Sequence, residues 1–154
     1  MDAIILQSVS TIVVLLSAII ALSQYIKQQK IKRIQNLSLI WEKFFKEERL
    51  VKLFSLLDEI ELNPIKANEL NGISNTDKFY YLAILDDVAY YAKNGEVDEK
   101  YAIDKFQWFF YYVFSSEKTK VKFWESLGGI KEIEEKYWKN MRDFAIKCEK
   151  SINQ

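Results

Sequence analysis

The chain has 154 residues, with 22 Lys and Arg balanced by 22 Asp and Glu, and it contains no histidine. That length fits one modest domain, or a small domain with a membrane anchor. The lack of histidine excludes Ser-His-Asp and Cys-His catalytic sites, histidine-ligated zinc and a histidine pH switch. A single cysteine, Cys148, excludes disulfides within the chain and multi-cysteine metal sites. We therefore predict no catalytic residue, no metal and no cofactor.

The N-terminal segment is apolar and long enough to cross a membrane. Residues 3–26 carry no charge and would extend roughly 36 Å as a helix, against about 30 Å of hydrocarbon in a bilayer. Because the chain starts with Met1-Asp2 and its first basic residues come after the segment, we expect an uncleaved anchor in the lipid bilayer and no signal peptide. The alternative is a buried helix of a soluble protein.

Four basic residues follow the segment, and we call them the basic collar: Lys27, Lys30, Lys32 and Arg33. By the positive-inside rule the collar faces the cytoplasm. We predict a single-pass protein of the bacterial inner membrane, with its N-terminus outside and its C-terminal domain in the cytoplasm, where an unpaired cysteine stays reduced. Residues 1–33 form the anchor with its collar, and residues 34–154 form a cytoplasmic helical bundle.

A stripe of small and polar residues follows one side of the predicted span. Small and hydroxyl residues let transmembrane helices approach closely, and a glutamine amide in hydrocarbon favours a partner helix or water. We expect a homo-oligomer in which this polar stripe packs at a helix interface or lines an aqueous lumen. The alternative is a plain single-pass tether. The residues of the polar stripe are Gln7, Ser10, Ser17, Ala21 and Gln24.

The remainder of the chain has helical periodicity and no convincing strand-period segment. With no Gly or Pro before Pro64, the anchor helix is expected to continue as a stalk. The predicted helix boundaries are Glu47-Glu48, Asn63-Pro64, Asn71-Gly72, Asn75 or Thr76, Lys93, Asp98, Ser115 or Ser116, and Gly128-Gly129. An apolar rhythm between Ile130 and Ile152 predicts the last helix. The fold class is therefore all-α, with a transmembrane helix that continues into an up-and-down bundle.

Ten Phe, nine Tyr and four Trp give the bundle a heavy aromatic content. We expect most of them in the core, with the dense run 108–114 in a central buried helix. The alternative is an exposed aromatic patch for partner subunits or unstacked bases. Tyr80, Tyr81, Tyr90 and Tyr91 are too many for one helix face, so some are expected at the surface or an interface.

Two pairs of residues are candidates for chemistry. Asp86 and Asp87 are adjacent and would point about 100° apart on a helix, so we expect no acid–base dyad and a half-buried, structural Asp86. Arg142 and Lys147 resemble the Arg-spacer-His motif of RNA-cleaving HEPN domains, with Lys in place of His. Because lysine is not a neutral base near pH 7 without strong burial, we predict that the chain is not an enzyme.

The segment 84–98, with the anchor, the collar, Trp108 and Trp124, resembles a bacterial family of small membrane-anchored helical proteins of unknown function. The size, anchor, helical bundle and C-terminal Arg motif also resemble the HEPN-like membrane accessory protein of type VI-B CRISPR systems. That resemblance implies a ring-shaped pore that strengthens antiviral defence beside an RNA-guided CRISPR effector.

Together these observations predict a non-enzymatic, oligomeric inner-membrane protein that forms pores as an accessory of a CRISPR-type defence system. One alternative is a membrane-tethered HEPN-like domain that binds or cleaves RNA. Another is a plain tethered scaffold that docks a cytoplasmic partner through surface tyrosines. Direct binding of nucleic acid stays open at this point.

Overall fold

A computed structural model describes residues 2–129 and 138–154, with side chains from residue 11 onward. Over these ranges the chain is helical and contains no strand, which confirms the all-α prediction. The described helices are α1 (Asp2–Lys46), α2 (Glu48–Leu62), α3 (Asn75–Lys93), α4 (Glu99–Phe110), α5 (Lys120–Glu125) and α6 (Lys139–Ile152). A 3-10 segment, Pro64–Gly72, joins α2 to α3, and a π-helical turn, Tyr111–Ser115, extends α4.

Helix α1 is 45 residues long and ends where the sequence predicts a break. Glu47 has an extended backbone (φ −92°, ψ 95°), which interrupts the helical path between α1 and α2. Lys43 and Lys46 in the last turn complement the negative end of the helix dipole. Helix α1 thus continues beyond its apolar segment and reaches into the bundle, as predicted.

Side-chain caps define the start of α3 and α4. Ser74 caps α3, because its Oγ accepts the N–H of Asp77 at 3.1 Å, and the prediction of Asn75 or Thr76 was therefore wrong by one or two residues. Asp98 caps α4 as predicted and accepts the N–H of Tyr101 at 2.9 Å. Each such cap satisfies an amide that has no partner within the helix.

The core of the bundle is aromatic, as predicted, and Phe109 lies at its centre. The Phe109 ring is 4.0 Å from the ring of Phe54 and 4.8 Å from that of Phe44. Trp41 packs edge-on against Phe106 at 5.2 Å. Because stacked and edge-to-face pairs contribute about 0.5–1.5 kcal/mol beyond the burial of area, these contacts hold α1, α2 and α4 together.

The aromatic run 108–114 is buried for the most part, although Trp108 is 45% exposed. It ends in the π-helical turn, whose backbone is bonded by side chains from the following segment. Trp124 Nε1 donates to the carbonyl of Val113 at 2.9 Å, and Thr119 Oγ1 donates to that of Tyr112 at 2.7 Å. These bonds place α5 against the end of α4.

Lys78 is a buried cation that the sequence pattern did not reveal. Its Nζ donates to the carbonyl of Ser126 at 3.2 Å, at the C-terminal end of α5, where backbone carbonyls lack helical partners. Burial lowers the pKa of the Lys78 ammonium group. The aliphatic stem contributes to packing while the head group fixes the end of α5.

The last described helix buries most of the apolar residues that its periodicity predicts, although Ile152 is only half-buried. Met141, Ala145 and Cys148 are buried on α6. The part of the predicted helix that precedes Trp138 lies outside the described residues.

Candidate functional site

The N-terminal part of α1 lies outside the bundle. Every side chain from Thr11 to Gln28 is exposed, including Ile19 at 63% and Leu22 at 60%. The helix Thr11–Lys46 has a window of mean hydropathy 1.5, none of it buried, and is long and apolar enough to cross a membrane. The helix is therefore not buried in the core of its own chain. An apolar surface of this extent needs a cover from outside the chain.

The polar stripe is exposed wherever its side chains are described. Ser17, Ala21 and Gln24 are all exposed on α1, whereas the side chains of Gln7 and Ser10 lie outside the described residues. Because an α-helix turns by about 100° per residue, these five positions fall on one side of α1. The described part of this side is therefore free of contact with the bundle.

The bundle packs on the other side of the same helix. Leu37 and Phe44 are fully buried, and they follow Ser17 by 20 and 27 residues. At about 100° per residue they point roughly 160–180° away from Ser17. Gln35 lies 18 residues, or about five helical turns, after Ser17 and therefore points in the same direction. Its side chain is exposed. The side of α1 that carries the polar stripe is thus unobstructed up to the end of the helix.

The four residues of the basic collar are exposed, and two of them meet the bundle. Lys32 and Arg33 line a cavity of about 160 Å³ between α1 and the turn that joins α3 to α4, whereas Lys27 and Lys30 do not. Asn36 Nδ2 donates to the carbonyl of Glu96 at 3.1 Å and holds that turn against α1. Sequence analysis missed this cavity, since its two sides are 60 residues apart in the chain.

The acidic pair on α3 does not form a catalytic dyad. Asp86 is half-buried, as predicted, while Asp87 is exposed. Burial raises the pKa of the Asp86 carboxyl, and the neighbouring Asp87 carboxylate raises it further. Within the described residues no group of three or more Asp, Glu or Cys side chains is placed to hold a metal ion.

The degenerate HEPN-like motif does not form a site within one chain. Lys147 is exposed, and its Nζ lies 2.7 Å from Oε2 of Glu99 on α4. Arg142 is half-buried and precedes Lys147 by five residues, so the two side chains point about 140° apart around α6. The pair therefore does not converge on a common substrate position.

The one cysteine has no features of a nucleophile. Cys148 is buried on α6, and this burial raises the pKa of its thiol to about 12. Since the thiolate is the reactive form, the native thiol is expected to be inert. Cys148 acts as a small apolar residue of the core.

Comparisons of this chain with family models, with curated proteins and with solved structures give no match. The resemblances to the small membrane-anchored family and to the CRISPR accessory protein stay predictions.

Proposed function

We propose that this chain is a non-enzymatic, single-pass inner-membrane protein that self-associates through the polar stripe of α1. The observation that carries the proposal is the position of Leu37 and Phe44, which attach the bundle to the side of α1 opposite Ser17. Self-association through the stripe therefore needs no rearrangement of the bundle.

Most of the exposed part of α1 is suited to contact with lipid. The side chains between Ile12 and Ile26 are mostly branched and aliphatic, and the helix offers all its backbone groups internal partners, as a bilayer requires. Each such side chain gains about 1.5–3 kcal/mol on leaving water. The collar sets the orientation, with the collar and the bundle in the cytoplasm and the opposite end of the span outside.

The polar stripe is suited to packing against the α1 helix of a second copy of the chain. Ser17, Ala21 and Gln24 recur at spacings of four and three, the pattern of a helix–helix seam. Small residues at such a seam allow close approach of two backbones, and the Gln24 amide finds a hydrogen-bonding partner on the next helix or in water. In the resulting assembly the α1 helices lie at the centre and the bundles lie around them.

A pore is the specific form of this assembly that the CRISPR resemblance favours. In that form Gln7 and Gln24 face an aqueous lumen at its two ends, where their amides replace bonds that hydrocarbon cannot supply. The resemblance also supplies the context, an accessory of antiviral defence that acts beside an RNA-guided CRISPR effector. The bundle would receive the signal from that partner.

The mass of the detergent-solubilised protein, measured by light scattering, tests the proposal. We expect a defined oligomer, and a monomer at all concentrations would refute self-association. The double variant Ser17→Phe, Ala21→Phe places bulk on the stripe and should dissociate the oligomer. The matched control, Ile19→Phe with Leu22→Phe, adds the same bulk roughly 140–200° around the helix and should leave the mass unchanged.

A further inference from the structure

The cavity beside the basic collar has the shape and chemistry of a site for a phosphate group. We call it the collar notch; it measures about 160 Å³ and is lined by Gln29, Lys32, Arg33, Asn36, Gly95 and Glu96. This volume is well above the roughly 10–15 Å³ that one water molecule needs, so a phosphate has enough space. Two cations and a side-chain amide face the same opening, so the notch offers several donors to an anion.

The turn between α3 and α4 keeps the notch open. Gly95 has φ +69°, in the left-handed region that suits glycine, and a side chain at this position would extend toward the Arg33 guanidinium. The bond from Asn36 to the carbonyl of Glu96 fixes the distance between the turn and α1. The notch is therefore built by tertiary structure and is more than a local property of α1.

Among the residues that the structure describes, the two cations of the notch, Lys32 and Arg33, form no ion pair. Glu96 lines the same cavity, but its carboxylate is not paired with either cation. The unpaired charges of the notch are thus available to an anion from outside the chain.

With α1 in the membrane as proposed, the notch lies at the depth of the lipid phosphates. Lys32 and Arg33 follow the last uncharged residue of the span, Ile26, by roughly 9–11 Å along the helix axis, and their long side chains reach back toward the bilayer. We propose that the collar notch binds the phosphate of an anionic phospholipid of the cytoplasmic leaflet and thereby docks the bundle against the membrane. This inference rests on the proposed membrane location of α1.

Anionic lipid in this position would be held at two points. Its phosphate binds Lys32, Arg33 and Gln29, and its acyl chains lie along the exposed apolar residues of α1. The Glu96 carboxylate opposes the anion, so Glu96→Gln should strengthen binding. Inorganic phosphate lacks the acyl chains and should not displace the lipid at equal concentration.

Native mass spectrometry of the full chain in neutral detergent, titrated with phosphatidylglycerol, tests the proposal. We expect one tightly held lipid per chain, and a weakening of about fivefold for each cation lost in Lys32→Gln, Arg33→Gln. The matched control, Lys27→Gln with Lys30→Gln, removes the same charge closer to the span and should retain the lipid. Gly95→Asn changes no charge, and asparagine tolerates the left-handed backbone at this position. Its side chain should fill the notch, so this variant should release the lipid.

If both double variants lose the same amount of lipid affinity, the notch is not a specific site. The lipid is then attracted only by the positive charge of the basic collar as a whole. Displacement of the lipid by inorganic phosphate at equal concentration would overturn its assignment to lipid. Extraction of membranes with alkaline carbonate separates this inference from the proposed function. A chain released by carbonate refutes the membrane location itself, whereas a membrane-retained chain without a bound lipid refutes the notch alone.

Discussion

The ring of Phe44 lies 4.8 Å from the ring of Phe109 at an interplanar angle of 89°, and this contact decides which side of α1 the bundle covers. Phe44 is fully buried, whereas its neighbour Phe45 is 44% exposed. The covered side of α1 is thereby fixed within a few tens of degrees, and the polar stripe is left on the opposite side.

Phe44→Ala is expected to lower the free energy of unfolding of the bundle by about 3–5 kcal/mol, because it removes a buried ring and leaves a cavity. Phe45→Ala serves as the matched control and should cost about 1 kcal/mol, since much of that ring is already in contact with solvent. Urea unfolding in detergent, followed by tryptophan fluorescence, measures both values. Equal losses would show that the covered side of α1 is assigned wrongly.

The buried thiol of Cys148 should make the free energy of unfolding depend on pH. Burial raises the pKa of its thiol to about 12, from an ordinary value of 9.0. Between these values the unfolded chain releases a proton that the folded chain retains, so the free energy of unfolding falls as the pH rises. The fall amounts to about 1.4 kcal/mol per pH unit at most. Below about pH 8 the thiol contributes almost no slope, because it is protonated in both the folded and the unfolded chain.

Urea unfolding at about pH 8 and about pH 10 measures this effect, and Cys148→Ala is the control because other groups also titrate in that range. The wild-type chain should lose more stability between the two pH values than the variant does. Identical slopes for the two proteins would contradict the raised pKa of the thiol.

The ion pair between Lys147 and Glu99 predicts that the degenerate motif has no role in RNA chemistry. Lys147→Ala should change stability by less than about 1 kcal/mol, since both partners are exposed. Binding and cleavage of single-stranded RNA should be the same in the wild type, in Lys147→Ala and in Arg142→Ala. Loss of an RNA activity in Arg142→Ala, with the fold intact, would favour the HEPN-like alternative instead.

The pore form of the assembly predicts that the two glutamines of the stripe control leakage. Gln7→Leu with Gln24→Leu should reduce the release of a small dye from vesicles, because an apolar lining disfavours water in a narrow channel. Leu15→Ile with Leu22→Ile, on the bundle side of the helix, should leave the release unchanged. If the glutamine variant releases dye as fast as the wild type, the lumen assignment is wrong.

Local signals predicted the helices well. The cap at Asp98 follows from short-range chemistry, because its carboxylate can accept an amide of the first helical turn. The cap of α3 was misplaced because Ser74, Asn75 and Thr76 are all good capping residues in a row. Only the backbone decides which of the three precedes the first helical turn.

The features that sequence analysis missed depend on residues far apart in the chain. The collar notch needs Arg33 beside Gly95, and the burial of Lys78 needs Ser126, 48 residues later. Periodicity along one helix carries no information about which turn of another helix will meet it. The polar stripe, by contrast, is a property of one helix, so the sequence could locate it without the fold.

Crosslinking of single cysteines within native membranes is the most direct test of the central claim that copies meet through the stripe. Cysteine is placed at Ser17, Ala21 or Gln24 on the stripe and at Ile19, Leu22 or Ile26 on the other side, in a Cys148→Ala background. We expect a short bismaleimide to link the stripe variants into covalent dimers, the largest product that one cysteine per chain allows, and to leave the other three as monomers. Equal crosslinking at all six positions, or none at the stripe, would contradict self-association through this side of α1.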